Sequence, residues 1–137
     1  MSRNRRPRIL DASALVELFS GHSTLMRLLD LANGGHALLA VPTLAIAEAQ
    51  AVLDAPPSHW NRILALPGIR AMDLAQHIAV EIGGIAAPRL QNHPVHTALI
   101  GPLMTAQVLY EAKTMNAAII TSVPEAYGGH EVAIQPI

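Results

Sequence analysis

The sequence predicts a single α/β domain with a central parallel sheet of four or five strands and helices on both faces. Short apolar runs that fit buried strands alternate with longer segments of helical periodicity. The chain has 137 residues, a length typical of one domain. Its hydrophobic content of 51%, against 14% charged residues, is sufficient for a substantial core and lies far from the composition of disordered chains.

The chain is predicted to begin with a strand and two helices. Residues 8–10 form a short apolar run that leads directly into helix-forming residues at 12–19, with apolar side chains at helical spacing. Ser23 or Thr24 is expected to cap a second helix at 25–32, which stops at a pair of glycines. These two helices are expected to pair.

The next segment repeats the order of strand and helix. A continuous apolar run at 36–41 lies between the glycine pair and a proline, as expected for a parallel strand covered on both faces. Thr43 is expected to cap a helix that runs to Leu53. Two consecutive prolines then interrupt the chain, and a short helix is predicted at 60–66.

The second half of the chain has the same alternation. A core-facing helix is predicted at 74–87 and a longer one at 99–115, with Pro102 tolerated in its first turn. Residues 88–97 contain two prolines and two histidines with little periodicity, which predicts a loop. The remaining strands are predicted at 69–72, 117–121 and 132–134.

Charge and cysteine content limit the classes of function. The formal net charge is -1, so the domain as a whole lacks the basic field typical of nucleic-acid binding. Four of the nine Lys and Arg residues lie within the first eight positions, so we divide the chain into a basic arm at 1–7 and one domain at 8–137. The arm either contacts an anionic partner or is a solvated terminus.

The absence of cysteine excludes disulfide scaffolds, thiolate zinc sites and thiol nucleophiles, and it suits a reducing compartment. The sequence shows no signal-peptide pattern and no apolar run of the roughly 20 residues that span a bilayer. We therefore expect a cytoplasmic protein.

Two acidic residues occupy informative positions. Asp11 follows the first predicted strand, and Glu48 lies on the helix after the second. Ligands bind at the carboxyl ends of the strands in open parallel sheets, so both side chains are candidates for one cleft. The alternative is that Asp11 only caps the helix that begins at Ala12 and that Glu48 faces solvent.

Four segments resemble the PIN domain family, and in particular its VapC-type toxins. Residues 9–15 (ILDASAL) are similar to the opening of these domains, and residues 41–48 (VPTLAIAE) are similar to their second motif. Residues 105–112 (TAQVLYEA) and 116–122 (NAAIITS) are similar to the family's third motif helix and last core strand. The resemblance covers nearly the whole chain in matching order, and it implies a PIN-like three-layer sandwich.

This resemblance also implies a ribonuclease site in which three or four carboxylates hold one or two Mg²⁺ or Mn²⁺ ions. Carried over, Asp11 and Glu48 would be metal ligands, Ser13 would hydrogen-bond near the first carboxylate, and Thr121 would supply the hydroxyl at the end of the last core strand. The family has aspartates at two further positions, but this chain has Thr105 and Val123 there.

The loss of two of the four acids predicts weak metal binding. We therefore expect little or no nuclease activity and a role as a binding or regulatory module. The alternative is an active Mg²⁺- or Mn²⁺-dependent ribonuclease, a toxin of a toxin–antitoxin system, that recruits Glu125 or water. Glu111 is a poor substitute because it lies about 9 Å beyond Thr105 along the helix. A third, more remote reading is an unrelated α/β protein whose Asp11 only caps a helix.

The expected partners follow from composition and from the resemblance. The high apolar content favours a homodimer or a tight complex with another protein. The resemblance implies an antitoxin-like partner and RNA, although four aromatic residues in the chain offer no evident stacking platform. His93 and His96 form the closest histidine pair, which without a third ligand is weak support for zinc and fits a polar loop better.

Overall fold

Five parallel strands form the sheet of this computed structural model, which describes residues 6–92 and 97–137. Their order across the sheet is β3-β2-β1-β4-β5. The strands are β1 (Arg8–Leu10), β2 (Leu39–Pro42), β3 (Ile69–Met72), β4 (Ala118–Thr121) and β5 (Ala133–Pro136). The predicted parallel sheet is confirmed, with five strands.

Helices fill the connections between the strands. The helices are α1 (Ala12–Phe19), α2 (Ser23–Asn33), α3 (Thr43–Leu53), α4 (Pro57–Leu64), α5 (Gln76–Asn92) and α6 (Pro102–Met115), with a 3₁₀ helix at Pro124–Tyr127. The chain moves across the sheet in one direction from β1 to β3 and returns in the other to β4. Since crossovers between parallel strands are right-handed, these two sets of helices lie on opposite faces.

The register brings the site positions to one edge. Leu10 in β1 pairs with Ile120 in β4, so Asp11 and Thr121 follow at the same level. Every residue of β2 is buried, as expected for a strand covered on both faces. The carboxyl ends of the three central strands therefore meet at one edge of the sheet.

Two predicted helix caps are wrong. Ser23 lies inside α2 as its first residue, and the N-cap position belongs to His22, whose side chain makes no capping hydrogen bond. Thr43 is the first residue of α3 and does not cap it. The amide of Leu44 in that first turn instead donates to the side chain of Gln107 at 2.8 Å, so a residue distant in sequence replaces the local cap.

The predicted loop at 88–97 is wrong for its first five residues. Helix α5 continues through Pro88 to Asn92. A proline costs a helix one hydrogen bond and crowds the carbonyl four residues earlier. Here that earlier residue is the exposed Gly84, whose carbonyl can tilt toward water, so the helix continues. The histidine pair at 93 and 96 lies outside the described residues.

Other boundaries shift by a few residues, as expected where helix and strand ends are assigned from sequence. Trp60 is buried and lies against Phe19 with 4.5 Å between ring centroids. Its indole N–H donates to the side-chain oxygen of Gln50 at 2.7 Å. Among the residues that the structure describes, no helix is both long and apolar enough to span a bilayer.

Candidate acid site

Asp11 has no exposed surface, and both of its carboxylate oxygens accept hydrogen bonds from the protein. Oδ1 accepts from the Ser13 hydroxyl at 2.7 Å and from the amide of Ala14 at 2.9 Å. Oδ2 accepts from the Tyr127 hydroxyl at 2.7 Å. Asp11 thus caps α1 through Oδ1 and also lies at the carboxyl edge of the sheet. Capping describes one part of its contacts, and the hydrogen bond from Tyr127 to Oδ2 lies outside the cap.

A chain of hydroxyl groups extends from Asp11 to the end of β4. Because Ser13 donates its only hydroxyl proton to Asp11, its oxygen accepts from the Thr121 hydroxyl at 3.1 Å and from the amide of Ser122 at 3.0 Å. The oxygen of Thr121 in turn accepts from the amide of Val123 at 2.9 Å. Every polar group of this buried network has a partner, as buried polar groups require.

Tyr127 closes the network on the opposite side of Asp11. Its ring is buried, and this burial raises the pKa of the phenol far above its ordinary value of 10.0. The charges of Asp11 and Glu48 raise that pKa further, whereas Arg89 lowers it. The phenol therefore remains protonated and is a permanent hydrogen-bond donor to Asp11.

Glu48 is half-buried on α3 and is held by the chain that enters α6. Its Oε1 accepts from the amide of Gly101 at 2.9 Å. A Cβ atom at position 101 would meet the Glu48 carboxylate, which would then have to shift from its present position. Glu48 therefore does not simply face solvent, because one of its oxygens is bound to the backbone of a neighbouring element.

Thr105 and Val123 occupy the two positions where the resemblance implies aspartates. Thr105 is buried, and its hydroxyl donates to the carbonyl of Pro102 at 3.1 Å. The same oxygen accepts a long hydrogen bond from Arg89 Nη1 at 3.4 Å. Val123 donates its backbone amide to Thr121, and its side chain has no polar atom. A cation thus lies beside the position where the resemblance implies a carboxylate.

This donor set does not fit Mg²⁺ or Mn²⁺. Hard divalent ions take several carboxylate or water oxygens as ligands. Here Oδ2 of Asp11 already accepts from the Tyr127 hydroxyl, and the guanidinium of Arg89 lies beside Thr105. Within 6–92 and 97–137, no group of three or more His, Cys, Asp or Glu side chains could hold a metal ion. Glu111 and the exposed Glu125 do not complete one.

Four residues of this site were missed by the sequence analysis: Gly101, Gln107, Tyr127 and Arg89. Gln107 had a signal in the sequence, since it is the one amide in the apolar stretch of α6. The structure buries it fully. Its amide nitrogen donates to the carbonyl of Met72 at 3.2 Å, in addition to the bond with Leu44. Arg89 had none, because its segment was predicted to be a loop.

The described part of the chain is a parallel α/β domain with an acidic residue after each of its first two strands. Asp11 directly follows β1, and Glu48 lies on α3, the helix after β2. No protein-family model and no curated protein sequence matches the chain.

Solved structures, in contrast, resemble it over nearly its full length. A toxin–antitoxin complex from Klebsiella pneumoniae is 17% identical over 95% of this chain and 98% of the other, with a TM-score of 0.60. VapBC2 from Rickettsia felis, bound to a DNA fragment from its promoter, is 14% identical over 95% and 98%, with a TM-score of 0.65. PAE2754 from Pyrobaculum aerophilum is 20% identical over 94% and 90%, with a TM-score of 0.56. The chain therefore has the PIN/VapC-type fold.

Proposed function

We propose that this protein is a PIN-fold binding or regulatory module with little or no metal-dependent nuclease activity. One observation carries the proposal: the protein's own donors occupy the carboxylates that would bind metal. Tyr127 covers Oδ2 of Asp11, and the amide of Gly101 occupies Oε1 of Glu48. A metal ion at Asp11 would have to share Oδ2 with the Tyr127 hydroxyl or displace that buried hydrogen bond.

Charge supports the same conclusion. Repulsion between clustered carboxylates is what a divalent ion relieves when it binds such a site. Here a guanidinium, that of Arg89, lies 3.4 Å from the Thr105 hydroxyl, beside the position where the resemblance implies a third carboxylate. The electrostatic gain from binding a cation is correspondingly smaller.

An active Mg²⁺- or Mn²⁺-dependent ribonuclease is the second candidate function. It is favoured by the arrangement of Asp11, Ser13 and Thr121, which hydrogen-bond to one another as the PIN resemblance implies. Such an enzyme would have to operate with two carboxylates, with water filling the other positions around the ion.

Titration with Mn²⁺ together with an RNA cleavage assay separates these candidates. We expect no saturable Mn²⁺ binding at micromolar concentrations, and no cleavage above the level of the Asp11→Asn variant. Mn²⁺-dependent cleavage that Asp11→Asn abolishes would reject the proposal in favour of the ribonuclease.

We also infer an antitoxin-like protein partner, because two of the similar structures are toxin–antitoxin complexes. A groove of about 350 Å³ between α1, α2 and α4 offers an apolar floor that includes Phe19 and Leu29. His59 and Arg62 line the same groove, so the fitting partner segment is an apolar helix with an acidic residue beside its apolar face. The negative net charge of the rest of the chain makes this basic rim distinctive.

Matched variants test that surface. Met26 lines the groove and is 41% exposed, whereas Val52 on α3 is 50% exposed and lies outside it. We expect Met26→Asp, and not Val52→Asp, to release a small partner carrying an acidic helix when the protein is purified from its native host. Equal retention by both variants would place the partner elsewhere.

A homodimer is the assembly that we propose for the isolated chain. Exposed apolar side chains occur on several helices, and Val80 on α5 is the most exposed of the large ones described, at 76%. Such surface is typical of an interface. Sedimentation velocity should show a dimer that Val80→Asp weakens, and a monomer at high micromolar concentration would contradict it.

A further inference from the structure

A cavity lies beside Tyr127, between α5, the start of α6 and the segment after β4. It measures about 280 Å³, near the lower end for small-molecule sites. Its polar lining comes from Arg89, Thr105 and His130, and its apolar walls include Ile85, Ala106 and Leu109. No carboxylate belongs to the part of the lining that the structure describes.

Arg89 is the feature of this cavity that needs a partner. Its guanidinium carries five N–H donors and a permanent charge, yet in the described ranges its side chain has one hydrogen bond, the 3.4 Å contact with the neutral Thr105 hydroxyl. Thr105 donates its own proton to Pro102, which orients the oxygen toward Arg89 as an acceptor. The arginine is thus positioned by a weak neutral contact and keeps most of its donors for another group.

The nearby acids do not fill that role. Asp11 accepts from Ser13, Ala14 and Tyr127, and Glu48 accepts from Gly101. Neither lines the cavity. A half-buried charge without an ionic partner is costly unless an anion or water compensates it. The cavity therefore favours an anion on its Arg89 side.

We propose that this cavity binds a phosphate monoester, with the phosphate on the guanidinium of Arg89 and its organic group against the apolar walls. A guanidinium matches two phosphate oxygens at once. His130, on the exposed side of the same cavity, is a second donor, which suits a dianion better than a carboxylate. The inference rests on the proposed function, since it assigns a ligand to a cleft that does not use metal.

Calorimetric titrations in EDTA test this site without any metal. The probes are inorganic phosphate, adenosine 5′-monophosphate, adenosine and acetate. We expect phosphate and the monophosphate to bind, the monophosphate more tightly, and adenosine and acetate to bind at least about tenfold more weakly, because the charge-assisted contacts dominate. Equal binding of acetate and phosphate, or tighter binding of adenosine than of phosphate, would overturn the assignment.

Two variants that each remove one positive charge test whether phosphate binds at Arg89. Arg89→Gln should weaken phosphate binding at least about tenfold, while Arg27→Gln, on the exposed face of α2, should leave it unchanged. Thr105→Asp should abolish it by giving Arg89 a carboxylate partner. Unchanged thermal unfolding of the unliganded variants shows that they fold. Equal weakening by the two arginine variants would reveal a nonspecific charge effect and overturn the site.

The two proposals fail in different ways. Absence of phosphate binding in EDTA, together with absence of Mn²⁺ binding, overturns only the phosphate site. Mn²⁺-dependent RNA cleavage overturns the proposed function, and the EDTA titrations still decide whether the cavity binds phosphate.

Discussion

The two sides of the acid site, at Asp11 and at the start of α6, differ in how many hydrogen bonds their side chains make to the rest of the fold. On the first side, Asp11 caps α1 and anchors a hydroxyl network that reaches the end of β4. On the second, Thr105 makes one bond to a local carbonyl and one long contact with Arg89. Replacing an acid that also stabilises the fold lowers stability even when no metal binds. Replacing an acid whose only role is to bind metal does not.

The largest expected effect comes from Asp11→Ala. Where carboxylates cluster only to bind metal, removing one relieves repulsion and stabilises the metal-free protein. Here removal leaves the Ser13 and Tyr127 hydroxyls and the Ala14 amide without their acceptor. We expect a loss of about 3 kcal/mol in the free energy of unfolding, measured with urea in EDTA. Glu48→Ala is the control and should cost about 1 kcal/mol, because one hydrogen bond is lost. A stabilised Asp11→Ala protein would refute the structural role.

The second effect concerns recovery of metal binding. Thr105→Asp with Val123→Asp places four carboxylates around the cleft, but Arg89 would pair with the new Asp at position 105. We expect that adding Arg89→Gln to this double variant tightens Mn²⁺ binding by at least about tenfold. Electron paramagnetic resonance of free Mn²⁺ measures it. If the double variant alone binds Mn²⁺ equally tightly, Arg89 does not control the charge of the site.

A smaller effect is expected from Tyr127→Phe, which leaves Asp11 Oδ2 buried without a donor. The cost should be about 1 to 2 kcal/mol near neutral pH. The raised pKa of Tyr127 makes stability depend on pH. The protonated phenol stabilises the fold fully below its ordinary pKa of 10.0, and this stability is lost as the pH rises above that value. In the wild type, phenolate absorbance of Tyr127 should appear only together with alkaline unfolding. The variant should lack that coupled absorbance change, and its persistence would contradict the assignment.

The smallest effect is expected at Glu111, on α6 away from the cleft. Burial raises the pKa of its carboxyl above the ordinary value of 4.5. A raised carboxyl pKa favours the fold when the group is protonated, and this contribution disappears as the pH rises through the folded-state pKa. Glu111→Gln should therefore raise the melting temperature near neutral pH, with the gain shrinking toward pH 4.5. An equal gain at all pH values would show that charge is not the cause.

The sequence predicts the sheet and the Asp11 network better than the rest of the cleft. Apolar runs and helical periodicity depend on local chemistry, and so does the cap that Asp11 provides for α1. The pairing of Tyr127 with Asp11 spans 116 positions, and that of Arg89 with Thr105 depends on a helix that passes through Pro88. Neither contact has a local signal, so both required the folded structure.

The side chain of Gln107 has a consequence for the motion of the cleft walls. It joins the first turn of α3, which carries Glu48, to the end of β3 from its own position on α6. First-turn amides of helices ordinarily exchange quickly with solvent because they have no acceptor within the helix. The amide of Leu44 has one in Gln107, so we expect it to exchange only after that hydrogen bond breaks. The exchange rate of this single amide should therefore report how readily the link between α3 and α6 opens.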